Sequence, residues 1–224
     1  MKIFNIVNKN LQSSINHPFT KSVLENKSFP IITISREKGA GGIVVAEKLA
    51  KKLGKKWDYY HKDIVDQIAK ESKTSPERVE ELEEKPIPYL QDFLEGWIGG
   101  DGMDVNKYHK NLIKVLYALG SKGHSILVGR GANFIFPNSL KVRIIADKEQ
   151  RIKWLMQYEK LSEKAATEEA DETDKESTKF ISNLYNKDIT DPKNYDLVIK
   201  TSLVLPAEEA VDIIARVAKK RFKL

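Results

Sequence analysis

Short β-branched runs alternate along the chain with longer stretches in which apolar residues recur every three or four positions. The first run, Phe29-Pro30-Ile31-Ile32-Thr33-Ile34-Ser35, predicts a buried strand. A glycine cluster follows, and then Val45, Leu49 and Leu53, with Ala46 and Ala50, take up helical spacing that ends at Gly54. Ser125-Ile126-Leu127-Val128-Gly129 predicts a second buried strand, Lys141 to Ala146 a third and Asp196 to Thr201 a fourth. Between them, Tyr59-Tyr60 lead toward a predicted helix through Ile64, Val65, Ile68 and Ala69, and Ser75-Pro76 resemble the cap and first residue of another. Leu112, Val115, Leu116 and Leu119 mark a helix ended by Gly120, and Ile152, Leu155 and Met156 mark one after the third strand. A charged helix is expected from about Glu163 to Tyr185, and a last one from Pro206 to Phe222. Strands alternating with helices imply right-handed crossovers and a parallel sheet, hence an α/β fold of three layers, α/β/α. Its ligand site belongs at the carboxyl ends of the strands.

Two stretches break this rhythm. Residues 1–28 are polar and weakly periodic, and read as an N-terminal extension before a single domain over 29–224. Residues 85–106 gather prolines and glycines among Tyr89, Phe93, Leu94 and Trp97, the composition of an irregular excursion that could form a lid or a partner surface. No internal repeat is visible.

Composition narrows the chemistry. Among 224 residues, 41% are hydrophobic and 31% charged, enough apolar mass for a sizeable core. The absence of cysteine excludes disulfides, thiolate metal sites and a cysteine nucleophile. No run approaches a membrane-spanning length and no secretory leader is apparent, so a cytoplasmic location is expected, without a membrane partner. The 38 basic and 32 acidic residues leave a net charge of +6, favouring anionic ligands. Arg216, Lys219, Lys220, Arg221 and Lys223 supply part of that excess, but they end a helix opened by Glu208 and Glu209, where they complement its dipole. Without interleaved aromatics this tail gives little reason to expect nucleic acid.

The loop Arg36-Glu37-Lys38-Gly39-Ala40-Gly41-Gly42 joins a predicted strand to a helix N-terminus, a place where free amide groups and the helix dipole favour phosphate. Set against G-x-x-x-x-G-K-[ST], it carries Arg36 at the first glycine, Gly42 at the lysine and Ile43 at the hydroxyl residue. The mobile charge and the magnesium-ligating hydroxyl are thus both missing. Arg36 and Lys38 could supply charge from within the loop, a question of reach. A tight turn with no ligand is the competing reading. Gly129-Arg130-Gly131 at the end of another strand puts an arginine near the same crevice, where a planar guanidinium suits phosphate; an ordinary surface arginine is the alternative.

Four segments in this order, Ile34 to Gly42, Tyr59-Tyr60-His61-Lys62-Asp63, Val128-Gly129-Arg130-Gly131-Ala132, and Tyr195 to Thr201, resemble the cytidylate kinase-like family, relatives of nucleoside monophosphate kinases. The resemblance spans about residues 30 to 220. It implies a P-loop nucleoside triphosphate hydrolase-like fold with a substrate-binding excursion at about 60–120 and a helical lid at about 151–190. It further implies ATP with Mg²⁺ as cofactors and transfer of a phosphoryl group to CMP, dCMP or a similar small nucleotide. Carried over by position, Arg36, Lys38, Gly39, Ala40, Gly41, Gly42 and Ile43 would bind the cofactor. Tyr60, His61, Asp63 and Arg130 would bind the acceptor, with Arg130, Arg151, Lys175 and Lys179 as catalytic cations. No residue is expected to ligate a metal directly. Two departures stand out: Ser177 replaces a usual arginine, for which Lys179 is a candidate substitute, and His61 replaces a usual aspartate, with Asp63 close by. A nucleotide-binding protein without turnover, and a regulator that self-associates through its aromatic excursion, are the competing readings.

Overall fold

Five parallel strands form the sheet of the computed structural model, which describes residues 30–61, 112–113, 115–117, 119–120 and 122–224. The N-terminal extension, the helices expected from Ile64 and Ser75, and the excursion around Tyr89 to Trp97 lie outside the described residues. The described part falls into two units, one of residues 30–61 and 124–224 and one holding the described positions from 112 to 123. In the second, the described positions from 112 to 120 are helical, and Leu112, Ile113, Val115, Leu116 and Leu119 are buried.

In the first unit the chain runs β1 (Ile31–Arg36), α1 (Gly42–Leu53), β2 (Asp58–Tyr60), β3 (Ser125–Val128), α2 (Ala132–Ile135), β4 (Leu140–Ile145), α3 (Lys148–Tyr158), α4 (Glu163–Tyr185), a 3₁₀ turn at Pro192–Asn194, β5 (Leu197–Lys200) and α5 (Ala207–Phe222). The sheet order is β2-β3-β1-β4-β5. Register pairs Ile34 with Val128 on one side of β1 and with Val142 on the other. The connection after β1 runs toward β2, whereas those after β3 and β4 run the opposite way. Their carboxyl ends therefore open a crevice beside β1.

Alternation along the strands sorts the two faces. Ile32, Ile34, Ile126, Val128, Leu140, Val142, Ile144 and Ile199 form one buried cluster with Val45, Ala46 and Leu49 of α1 and with Ala210, Val211, Ile214 and Ala218 of α5. The other face carries Thr33, Ser35, Leu127 and Arg143. Ion pairs Lys48–Glu208 and Lys52–Asp212 join α1 to α5 outside the core. Arg221 of the basic tail lies 3.4 Å from Asp196, consistent with a helix-end role for part of that tail.

The strand periodicity predicts four strands and the sheet has five. The addition, β2, is a three-residue edge strand where the sequence pattern led toward a helix, and its pairing with Ser125 to Leu127 of β3 supplies what local propensity does not. By contrast α4 has the predicted bounds. Ser162 accepts the Ala165 amide at its start and Asn186 takes a left-handed conformation at its end.

Gly131 caps the start of α2 with φ of 69°, and a Cβ there would overlap the Tyr185 ring. That ring is wholly buried, and its hydroxyl donates to the Arg130 carbonyl at 2.9 Å. Gly131→Ala should therefore lose roughly 2–4 kcal/mol in urea denaturation, from left-handed strain and overpacking together. Burial also raises the Tyr185 phenol pKa, with the Arg130 charge opposing more weakly. The native state holds this phenol neutral, so its contribution is complete below the unfolded value of about 10 and declines as pH rises past it. Denaturation midpoints measured from pH 9 to 11 should fall less steeply for Tyr185→Phe than for the parent.

Candidate functional site

Loop 37–41 sits at the carboxyl end of β1, and each of its fixed points is a polar contact to a neighbouring element. The Glu37 amide donates to the Ile144 carbonyl at 3.0 Å, continuing the β1–β4 ladder past the strand. The Glu37 carboxylate accepts the Ala146 amide at 3.1 Å and lies 3.6 Å from Arg151 Nε and 4.0 Å from an Arg143 nitrogen. The Thr201 hydroxyl donates to the Ala40 carbonyl at 3.0 Å, beyond the end of β5. Ala40 is fully buried beneath the loop.

Arg151 of α3 makes the strongest of these ties. Its guanidinium donates to the Lys38 carbonyl at 3.0 Å and to Asp174 of α4 at 2.5 Å, while the other Asp174 oxygen accepts the Lys38 amide at 2.9 Å. Both backbone polar groups of Lys38, its N–H and its C=O, are thereby bound to the helical pair. The approach is so close that a Cβ on Gly39 would stand 2.9 Å from the Arg151 carbonyl oxygen. Lys38 extends the same contact, its ammonium lying 3.0 Å from Glu159 and 3.3 Å from Glu169.

Beneath the loop, Arg143 of β4 is buried on the second face and donates to Ser35 Oγ at 2.9 Å, with Tyr195 against its guanidinium at 5.7 Å. The upper side is open. Gly41 precedes α1 with no side-chain cap, and nothing lies within 4 Å of where its Cβ would be. The first amides of a helix lack intrahelical acceptors, so this edge offers donors and a positive dipole end to an anion. The Arg36 side chain runs across Gly42, whose Cβ would be 2.7 Å from Arg36 Cβ, toward Gly129 at the end of β3.

A model of the cytidylate kinase-like family matches residues 31–203. The chain belongs to this family. Its sheet order and its glycine loop after the central strand accord with a P-loop kinase fold. Among solved structures, an uncharacterized protein from Eubacterium ventriosum is 26% identical with a TM-score of 0.68, covering 86% of this chain and 99% of its own. A shikimate kinase from Bacteroides thetaiotaomicron is 10% identical with a TM-score of 0.47, covering 86% of this chain and 99% of its own. No curated protein matches the chain.

The residues expected to serve a cytidylate kinase-like site are distributed unevenly. Arg36, Lys38, Gly39, Ala40, Gly41, Gly42 and Ile43 form one continuous loop and helix start, with Arg151 packed beneath. Arg130, in a left-handed conformation with φ of 54°, follows β3 and places its guanidinium 4.9 Å from the Phe180 ring of α4. Tyr60 is buried at the end of β2, next to β3, and His61 follows with its ring 6.5 Å from that of Tyr59. Asp63 lies outside the described residues.

Lys175 and Lys179 are exposed on α4. At 100° per residue, Lys179 points about 200° away from Ser177, whereas Ser177 shares a face with Asp174 and Ile181. Among the described residues, no hydrogen bond or ion pair joins either lysine to the loop. Glu37, Arg143, Asp174 and Thr201 complete the loop's support, although none of them is singled out by the sequence pattern.

Arg151→Met should cost about 1–3 kcal/mol, because it removes a buried guanidinium from the half-buried carboxylates of Asp174 and Glu37. Combining it with Asp174→Asn should cost clearly less than the two single losses added, since both remove one shared interaction. Strict additivity in urea melts would show that the pair does not couple.

Proposed function

We propose that the protein transfers the γ-phosphoryl group of ATP to a nucleoside monophosphate, with CMP, dCMP or a close relative as acceptor. The observation that carries this reading is the open, uncapped start of α1 at Gly41, braced from below by α3 and α4, in a chain of the cytidylate kinase-like family. Free amides, a helix dipole and glycine allow close approach by a polyphosphate, so the site fits the phosphates of ATP. A protein-held Mg²⁺ fits less well. Ile43 offers no oxygen, and among the described residues no group of three or more histidine or acidic side chains is arranged to hold a metal ion.

Phosphoryl transfer between nucleotides asks mainly for alignment and charge neutralisation. The acceptor phosphate is already an oxyanion and needs no general base. Loop amides would hold the donor, and Arg130 at the end of β3 would meet the acceptor phosphate with a planar fork. Arg151 would act as a positioning residue, since it is buried and its Nη1 is engaged by Lys38 and Asp174. No described helix is long and apolar enough to cross a membrane, and a cytoplasmic nucleotide pool is the proposed substrate source.

A second reading, nucleotide binding without turnover, is favoured by Gly42 and Ile43 at the two chemical positions of the loop and by the engagement of Lys38 with Glu159 and Glu169. An assay with Mg·ATP and a panel of nucleoside monophosphates separates the two. The kinase reading expects CDP or dCDP to form, and Arg130→Ala to lower kcat roughly a hundredfold in a protein that melts like the parent. Saturable ATP binding with no diphosphate product from any acceptor would establish the second reading.

A further inference from the structure

The usual phosphate loop places its mobile cation on the first residue of the helix, and that residue here is Gly42, with no side chain. The position is empty for a geometric reason. An ideal Cβ on Gly42 would lie 2.7 Å from Arg36 Cβ, 2.9 Å from its Cγ and 3.6 Å from its Cδ. The aliphatic stem of Arg36 therefore fills the space through which a side chain at 42 would leave the helix. Beyond that stem, Nη1 of Arg36 lies 3.2 Å from the place of a Cβ on Gly129, and the guanidinium carbon lies 3.5 Å from it. The guanidinium thus ends between the carboxyl ends of β1 and β3, alongside the first turn of α1.

We infer that Arg36 is the polyphosphate-binding cation of this loop, and that the charge ordinarily placed on the first helical residue has moved to the last residue of β1, with Gly42 as the clearance it requires. The inference rests on the phosphate-loop reading above. Three features support it together. Strand alternation turns Arg36 to the same side of the sheet as Ile32 and Ile34, the side on which α1 packs. The glycine at 129 admits the guanidinium where a side chain would obstruct it. Lys38, the other cation within the loop, points its ammonium at Glu159 and Glu169 on the helical pair. A guanidinium fixed along its stem also presents paired donors to phosphate oxygens at a smaller entropic penalty than a free lysine.

The exchange can be tested by reversing it. Calorimetric titration with inorganic tripolyphosphate and with ATP, without added metal, reads phosphate binding independently of turnover. Arg36→Gln should weaken both ligands about tenfold to a hundredfold, the range expected when a charge-assisted contact is lost. Gly42→Ala leaves the charge unchanged but displaces the Arg36 stem, and should weaken binding as well. The Arg36→Gly/Gly42→Lys double variant restores the usual arrangement and should bind more tightly than Arg36→Gly alone. Lys55→Gln, at an exposed position past α1, controls for net charge and should bind like the parent.

Parental affinity in Arg36→Gln would overturn the assignment, as would an equal loss in Lys55→Gln or a double variant no better than Arg36→Gly. Should Arg36→Gln fail to fold by circular dichroism, Gly42→Ala carries the test: parental affinity there overturns the assignment and a loss supports it. Failure of the parent protein to bind either ligand would instead overturn the phosphate-loop reading, an outcome distinct from failure of the exchange.

Discussion

One guanidinium, that of Arg151, fixes the part of the chain on which the rest of the site depends. It is taken almost wholly out of water, an arrangement that is unfavourable unless its donors are met by good acceptors. Asp174 and the Lys38 carbonyl meet Nη1, and the Glu37 carboxylate lies 3.6 Å from Nε. Because Asp174 also receives the Lys38 amide, the two peptide units that meet at Lys38 are each held, one by Asp174 of α4 and the other by Arg151 of α3. The close approach of the α3 backbone then leaves no room for a side chain at residue 39. A loop anchored in this way is ordered before any ligand arrives, which is the condition for low-cost electrostatic stabilisation.

The bracing also divides the cations by task. Arg143 lies under the loop with Ser35, Arg151 lies beneath it with Asp174, and Lys38 faces two glutamates on the helical pair. These charges fix the shape of the loop. Arg36 and Arg130 stand at the ends of β1 and β3, on the strands that flank the crevice. In the proposed phosphoryl transfer, charge at those strand ends would align two phosphates, while the remaining cations hold the loop. The helical pair is therefore linked to the glycine loop through Asp174 and Glu159, so movement of α3 and α4 would be felt at the bend.

Much of this was legible in the sequence. The β-branched runs at Ile31, Ser125 and Lys141 mark strands because both faces of each are largely covered in a parallel sheet, and edge strand β5 is marked by its run although it buries Ile199 alone. β2 was not legible, since three residues cannot establish a period and its stability comes from β3. The loop was visible through its glycines, and the order of the motifs pointed to the family. Its supports were hidden: Arg143 looks like an ordinary polar position on a strand, and Asp174 is one acidic residue among many on a charged helix. Both acquire meaning only when β4 and α4 are brought beside the loop. The placement of Lys179 was within reach of sequence reasoning, because two residues along a helix project to nearly opposite sides. Arg36 was legible as a candidate, but the clearance at Gly42 is a fact of three dimensions.

The central claim is that the start of α1 holds a polyphosphate chain through its backbone. Backbone amide resonances followed in a ¹⁵N-correlated titration with tripolyphosphate test it most directly. Saturable shifts concentrated at Gly39, Gly41, Gly42 and Ile43, sharing one binding constant, are the predicted result. If those amides stay in place while others shift, or if no resonance moves in the folded protein, the phosphate loop is a structural turn and the account is wrong.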